Sequence, residues 1–129
     1  KNNSEARSIL KKSLGMVLLV GTGASLVYFA VPGLLVNIMF GADYLVITPI
    51  IGLFGIIITI YCIMWTLAMF LLAVRKSKFI TGLIILNIIE IGLIWFYHPS
   101  LTVILIELLA ISSIMVVFLF RIVISSKDK

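Results

Sequence analysis

Two uncharged stretches govern what this chain can fold into. No Asp, Glu, Lys or Arg occurs from Ser13 to Ala42, and none from Tyr44 to Val74. About 20 apolar residues suffice to cross the hydrocarbon core of a bilayer, so both stretches are long enough to span. Apolar runs from Phe79 to Tyr97 and from Leu101 to Phe120 follow, each interrupted by one glutamate. With 63% hydrophobic residues, 12% charged and a mean hydropathy of +1.31, the chain has more apolar side chain than a small soluble globule can cover. In lipid only helices and closed barrels satisfy the backbone polar groups. The expected fold is therefore all-α and integral to the membrane, with four spans at about 13–31, 49–74, 79–97 and 101–123.

A net charge of +5 would suit nucleic acid if the basic residues shared a soluble face, but their placement argues against such a partner. Lys1, Arg7, Lys11 and Lys12 precede the first span. Arg75, Lys76 and Lys78 form a basic turn between the second and third, and Arg121, Lys127 and Lys129 end or follow the fourth. The connections around Asp43 and His98 contain no Lys or Arg. The positive-inside rule then expects both chain ends and the Arg75–Lys78 turn in the cytoplasm, in a multi-pass protein of the cytoplasmic membrane. The bilayer is the first expected partner.

Cys62 is the single cysteine and sits in mid-span, where the expectation is a small packing residue. One His with no second His or Cys cannot assemble the usual zinc ligand set, so His98 is read as a loop residue and no metal is expected. No hydrolytic triad, phosphate loop or metal-ligand spacing is present; no catalytic residue, cofactor or enzymatic activity is expected. The first apolar run is too long for a signal peptide and lacks a small-residue cleavage pattern. The chain opens on Lys1 rather than Met, and the expectation is a fragment or a processed chain.

Along the chain, residues 1–12 read as a polar cytoplasmic lead-in in which Ser4 caps a short helix entering the first span. Pro32 and Gly33 break that span, because proline removes a backbone donor and clashes with the preceding turn. Residues 33–40 are apolar but too short to cross, and read as an interfacial helical turn or the displaced end of the first span. An outer loop covers 41–48. Thr48 before Pro49 suits an N-cap followed by proline at the first helical position; the alternative is a helix starting near Tyr44 and bent at Pro49.

These spans are apolar all round, so small and polar residues must mark the protein-facing sides. Gly52, Gly55, Thr59, Cys62 and Thr66 share one side of the second span; Asn87, Glu90 and Tyr97 share one side of the third. Glu90 and Glu107 are the only charges well inside the spans. At ~1.5 Å per residue they lie roughly 10 and 9 Å from the outer connection, about one level. The functional reading is a proton- or cation-coupling site, since an intramembrane acid is a functional hypothesis by default. The plainer one makes each a packing residue, Glu90 hydrogen-bonded to Asn87 or Glu107 reaching the outer interface. Tyr44, Trp95 and Tyr97 fit an aromatic belt at the outer surface rather than sugar-stacking platforms, and Trp65 is expected to pack.

The stretch Phe29-Ala-Val-Pro32-Gly-Leu-Leu-Val-Asn-Ile-Met-Phe40-Gly41-Ala-Asp-Tyr44, followed by Pro49, resembles polysaccharide flippases of the multidrug, oligosaccharidyl-lipid and polysaccharide exporter superfamily. There a span ends in proline, an apolar turn leads to Phe-Gly-x-x-Tyr, and the next span begins. The resemblance extends through the basic turn Arg75, Lys76 and Lys78 to Asn87. After that helix, Trp95-Phe-Tyr-His-Pro99-Ser stands in place of the family's proline-aromatic-glycine turn.

The resemblance implies that this chain is the C-terminal part of the second lobe of a larger helical transporter. Such a protein passes lipid-linked oligosaccharide or polysaccharide precursors across the membrane by rocking its two lobes. Its partners would be the remaining transporter helices and a lipid-linked sugar held mainly by them, since this stretch has no mid-membrane Lys or Arg. The competing expectation is a complete small four-span protein, either an accessory of sugar-lipid translocation resembling the GtrA-like family or a non-transport helical interaction subunit. A small multidrug exporter is disfavoured, because such proteins carry a glutamate in the first span and this span has none.

Overall fold

A computed structural model describes residues 3–97 and 99–125. His98, Lys1, Lys127 and Lys129, for which the sequence reading has roles, lie outside the described residues. Every regular element among the described residues is helical: α1 (Asn3–Ala30), α2 (Pro32–Phe40), a 3-10 helix (Ala42–Ile47), α3 (Thr48–Ala73), α4 (Phe79–Phe96) and α5 (Leu101–Ser125). Four of these stretches are long and apolar enough to cross a membrane: α1, the 3-10 helix continuing into α3, α4 and α5.

The lead-in and the first span are one helix. α1 runs 28 residues, about 42 Å at 1.5 Å per residue, against about 30 Å of hydrocarbon. Its polar first turns are thus a helical extension of the span, with Ser4 inside the helix. The break comes where Pro32 predicts it. Val31 leaves helical geometry (φ −136°, ψ 51°), and Pro32 starts α2, where its missing N–H costs nothing. α2 ends at Gly41, whose N–H still bonds to the Asn37 carbonyl at 3.0 Å.

The entry to α3 departs from the N-cap expectation. Thr48 is already helical (φ −49°, ψ −42°), Ile47 precedes it, and no side chain caps the helix. The buried Thr48 hydroxyl has no hydrogen-bond partner. A cap is not needed, because the 3-10 turn feeds directly into α3 and Pro49 removes one orphan donor. The alternative with a helix starting near Tyr44 is closer to what is observed. At its other end α3 closes with a Schellman pattern: the Arg75 N–H bonds to the Leu72 carbonyl and the Lys76 N–H to Leu71, both at 2.9 Å. Arg75 holds the left-handed conformation this requires, with φ 57°.

The helices pack in the order α1, α3, α5, α4. α1 lies against α3, α3 against α5, and α4 against α5, while α2 and the 3-10 helix fold over the start of α3. At one end Leu10 of α1, Leu67 and Leu71 of α3, Phe79 of α4 and Leu119 of α5 form the apolar core. Lipid is as apolar as leucine, so close approach and interhelical hydrogen bonds must supply what burial supplies in water. The α1–α3 seam shows both. A Cβ on Gly52 would stand 2.5 Å from the Phe29 ring, one on Gly55 2.6 Å from Tyr28, and one on Gly21 would collide with Thr59. The Ser25 and Thr59 hydroxyls meet at 3.4 Å inside this seam. On the other side of the row, Gly82 of α4 gives way to the Phe118 ring of α5 in the same manner.

Two expected faces are therefore only partly turned toward protein. Gly52, Gly55 and Thr59 meet α1, but Cys62 is exposed. Thr66 donates to the Cys62 carbonyl of its own helix. Of the polar residues expected on one side of the third span only Glu90 is buried; Asn87 and Tyr97 are exposed. Trp65 does not pack inside the chain either, being 64% exposed. The physical reason is shared. The four long helices form a row, so each packs against at most two of the others and a polar stripe meets protein along only part of its length.

Candidate functional site

The one acid held inside the row is Glu90, 5% exposed. It sits past the middle of α4, and its Oε1 accepts a hydrogen bond of 3.3 Å from the Tyr61 hydroxyl near the middle of α3. α3 and α4 do not pack backbone to backbone, so this bond links consecutive spans across the flank of α5. The polar partner of Glu90 is thus not Asn87, whose amide donates to the Leu83 carbonyl of its own helix at 2.8 Å.

Glu107 is placed differently. One of its carboxylate oxygens, Oε2, is buried without a hydrogen-bond partner. α4, which carries Glu90, packs against α5, which carries Glu107. A buried carboxyl oxygen with no partner is costly to keep, commonly ~1–3 kcal/mol. The Glu90 carboxyl and the Tyr61 phenol form a polar pair within a largely apolar interior. Nearby polarity is satisfied locally: the Ser112 hydroxyl, fully buried, donates to the Leu108 carbonyl at 2.6 Å, and Ser113 donates to Leu109.

Among the described residues no three His, Cys, Asp or Glu side chains come together as a metal site. The described basic residues occupy helix ends and the Arg75–Lys78 turn, away from Glu90.

The motif residues Pro32, Phe40, Gly41 and Tyr44 lie at the opposite end of the row from the Arg75–Lys78 turn. Gly41 has φ 94° and ψ 170°, a conformation essentially reserved for glycine. It folds the chain so that the Phe40 and Tyr44 rings lie 6.2 Å apart, tilted by 53°. Pro32 opens the short helix that leads to them. The exposed aromatic residues Tyr44, Trp95 and Tyr97 lie at this same end, as an interfacial belt requires.

Four participating residues were not singled out by sequence. Tyr61 was hidden among apolar neighbours, and only its hydroxyl sets it apart. Gly21 and Ser25 carried a signal, a small-xxx-small spacing on α1 of the kind that lets membrane helices touch. Gly82 carried none beyond being glycine. Comparison with family models, curated proteins and solved structures finds no match.

Proposed function

We propose that this chain is the C-terminal membrane portion of a flippase that moves lipid-linked oligosaccharide or polysaccharide precursors across the cytoplasmic membrane by two-lobe alternating access. The observation that carries the reading is the folded Pro32–Tyr44 unit. A proline-started apolar helix, a glycine-only turn and a paired Phe40 and Tyr44 give each residue of the resembling motif a distinct structural task. The one-layer packing of α1, α3, α5 and α4 also suits a piece of a lobe, whose open faces the remaining helices would cover.

In this reading the basic end faces the cytoplasm, because the described Lys and Arg all lie there and none lies at the Phe40–Tyr44 end. The chain supplies lobe structure, while groups elsewhere in the transporter hold the lipid diphosphate. Glu90, positioned by Tyr61, is the proton- or cation-coupling residue, with Glu107 of the adjoining α5 as the second acid and Asn87 outside the pair. Glu90→Gln in the complete protein is expected to abolish the pH dependence of transport. Unchanged transport and pH dependence would remove Glu90 from the coupling role.

The test of the reading as a whole is the native mass in the source membrane, detected with an antibody to the C-terminal tail, together with inactivation of the coding region. A band several times heavier than 14.3 kDa and accumulation of unflipped lipid-linked sugar on the cytoplasmic face are expected. A band near 14.3 kDa would overturn the reading in favour of a small four-span accessory or interaction protein.

A further inference from the structure

The basic end of the row carries a feature that the proposed transport role does not use. Between the first turns of α1 and the last turns of α3 runs an apolar groove of about 440 Å³, walled by Ala6 and Ser13 on one side and Trp65, Met69 and Ala73 on the other. From Ala73 to Trp65 it extends about 12 Å along α3. Cations flank this stretch on both helices. Arg7, Lys11 and Lys12 fall within the two α1 turns whose Ala6 and Ser13 line it, and Arg75 and Lys76 come two and three residues after Ala73, past the Val74 C-cap. Glu5 is the only acid described at this end.

We propose that this groove is a binding site for an anionic phospholipid, its phosphate among the Lys12, Arg75 and Lys76 cations and its glycerol and upper acyl chain along the groove toward Trp65. The argument is complementarity of two kinds in one place. Clustered Lys and Arg beside a membrane helix attract anionic headgroups, and basic pockets between helices select them over zwitterionic ones. The apolar walls match the glycerol and upper acyl chain of a lipid whose phosphate sits at the groove mouth. The Arg75 backbone, fixed in its left-handed turn by the Schellman bonds, holds one cation at the mouth. The site requires that this groove face lipid rather than a further helix of a larger transporter.

The test uses the protein purified from its membrane in mild detergent, with bound lipid counted by native mass spectrometry after titration with phosphatidylglycerol or phosphatidylcholine. A clear preference for phosphatidylglycerol is expected, falling about fivefold for each of Lys12→Gln, Arg75→Gln and Lys76→Gln. Ala73→Phe keeps every charge but fills the groove, and is expected to abolish the preference. Equal retention of both lipids by the unaltered protein would overturn the proposal. So would undiminished preference in Ala73→Phe, which would reduce the effect to general attraction by a basic surface. If a variant fails to fold, salt decides on the unaltered protein. Raising it from about 0.1 to 1 M shortens the screening length from about 10 to 3 Å and must weaken the preference.

Discussion

Single residues at the outer turn and in the interior carry definite energetic tasks. Gly41 holds a backbone conformation that a Cβ disfavours by about 1–3 kcal/mol. Gly41→Ala is therefore expected to lower stability by that amount and to separate the Phe40 and Tyr44 rings, measured by reversible unfolding in mixed micelles and by tyrosine fluorescence. Wild-type stability in Gly41→Ala would show that the turn relaxes at no cost. For the buried pair, Tyr61→Phe removes the only hydroxyl seen to reach Glu90. Interhelical hydrogen bonds in membranes are worth ~0.6–1.7 kcal/mol, so a loss in that range is expected in the same unfolding measurement. Glu90→Gln keeps an acceptor for Tyr61 and should cost less than Tyr61→Phe; the reverse order would show that the carboxyl itself, not the bond, stabilises the site.

At the scale of elements, the α1–α3 seam depends on what is missing from its glycines. A Cβ on Gly55 would lie 3.1 Å from the Ser25 Cα, which is backbone and cannot swing aside, so Gly55→Ala must push the helices apart. Overpacking of this kind costs about 1–3 kcal/mol. The control is Gly23→Ala, where nothing stands within 4 Å and no loss is expected. Equal unfolding free energies for the two variants would mean that the seam is not closely packed in the membrane. This seam also shows what residues can and cannot disclose. Helix ends near Pro32, Pro49 and the Arg75–Lys78 cluster were legible to within a few residues, because these residues act locally on the backbone or sit at the membrane surface; the start of α1 at Asn3, ten residues before the expected span, was not. The small residues of α3 marked a contact face but not its partner. In helices apolar on every side, the order α1, α3, α5, α4 leaves no periodic signature. The pairing of Tyr61 with Glu90 depends on that order and on the register of α4 against α5, both set by shape, so neither was readable beforehand. Trp65 and Cys62 illustrate the same limit from outside. Depth in a span follows from counting, but which side of the helix is covered does not.

For the whole molecule the governing asymmetry is electrical. The described cations lie at the end formed by the start of α1, the α3–α4 turn and the end of α5; Asp43 lies at the other. In a Cys62→Ala background, Ser77→Cys is expected to be shielded from an impermeant thiol reagent added outside intact cells, and Asp43→Cys to be labelled. Labelling of Ser77→Cys from outside would invert the topology and with it the assignment of the basic end to the cytoplasm. The length of α1 has a mechanical meaning as well. Because Asn3–Ala30 is one uninterrupted helix of about 42 Å, its exposed first turns and its far end move as a single rod. A tilt of one degree applied at the basic end displaces Ala30 by roughly 0.7 Å, and the break at Val31 is where that displacement is absorbed before it reaches Phe40 and Tyr44.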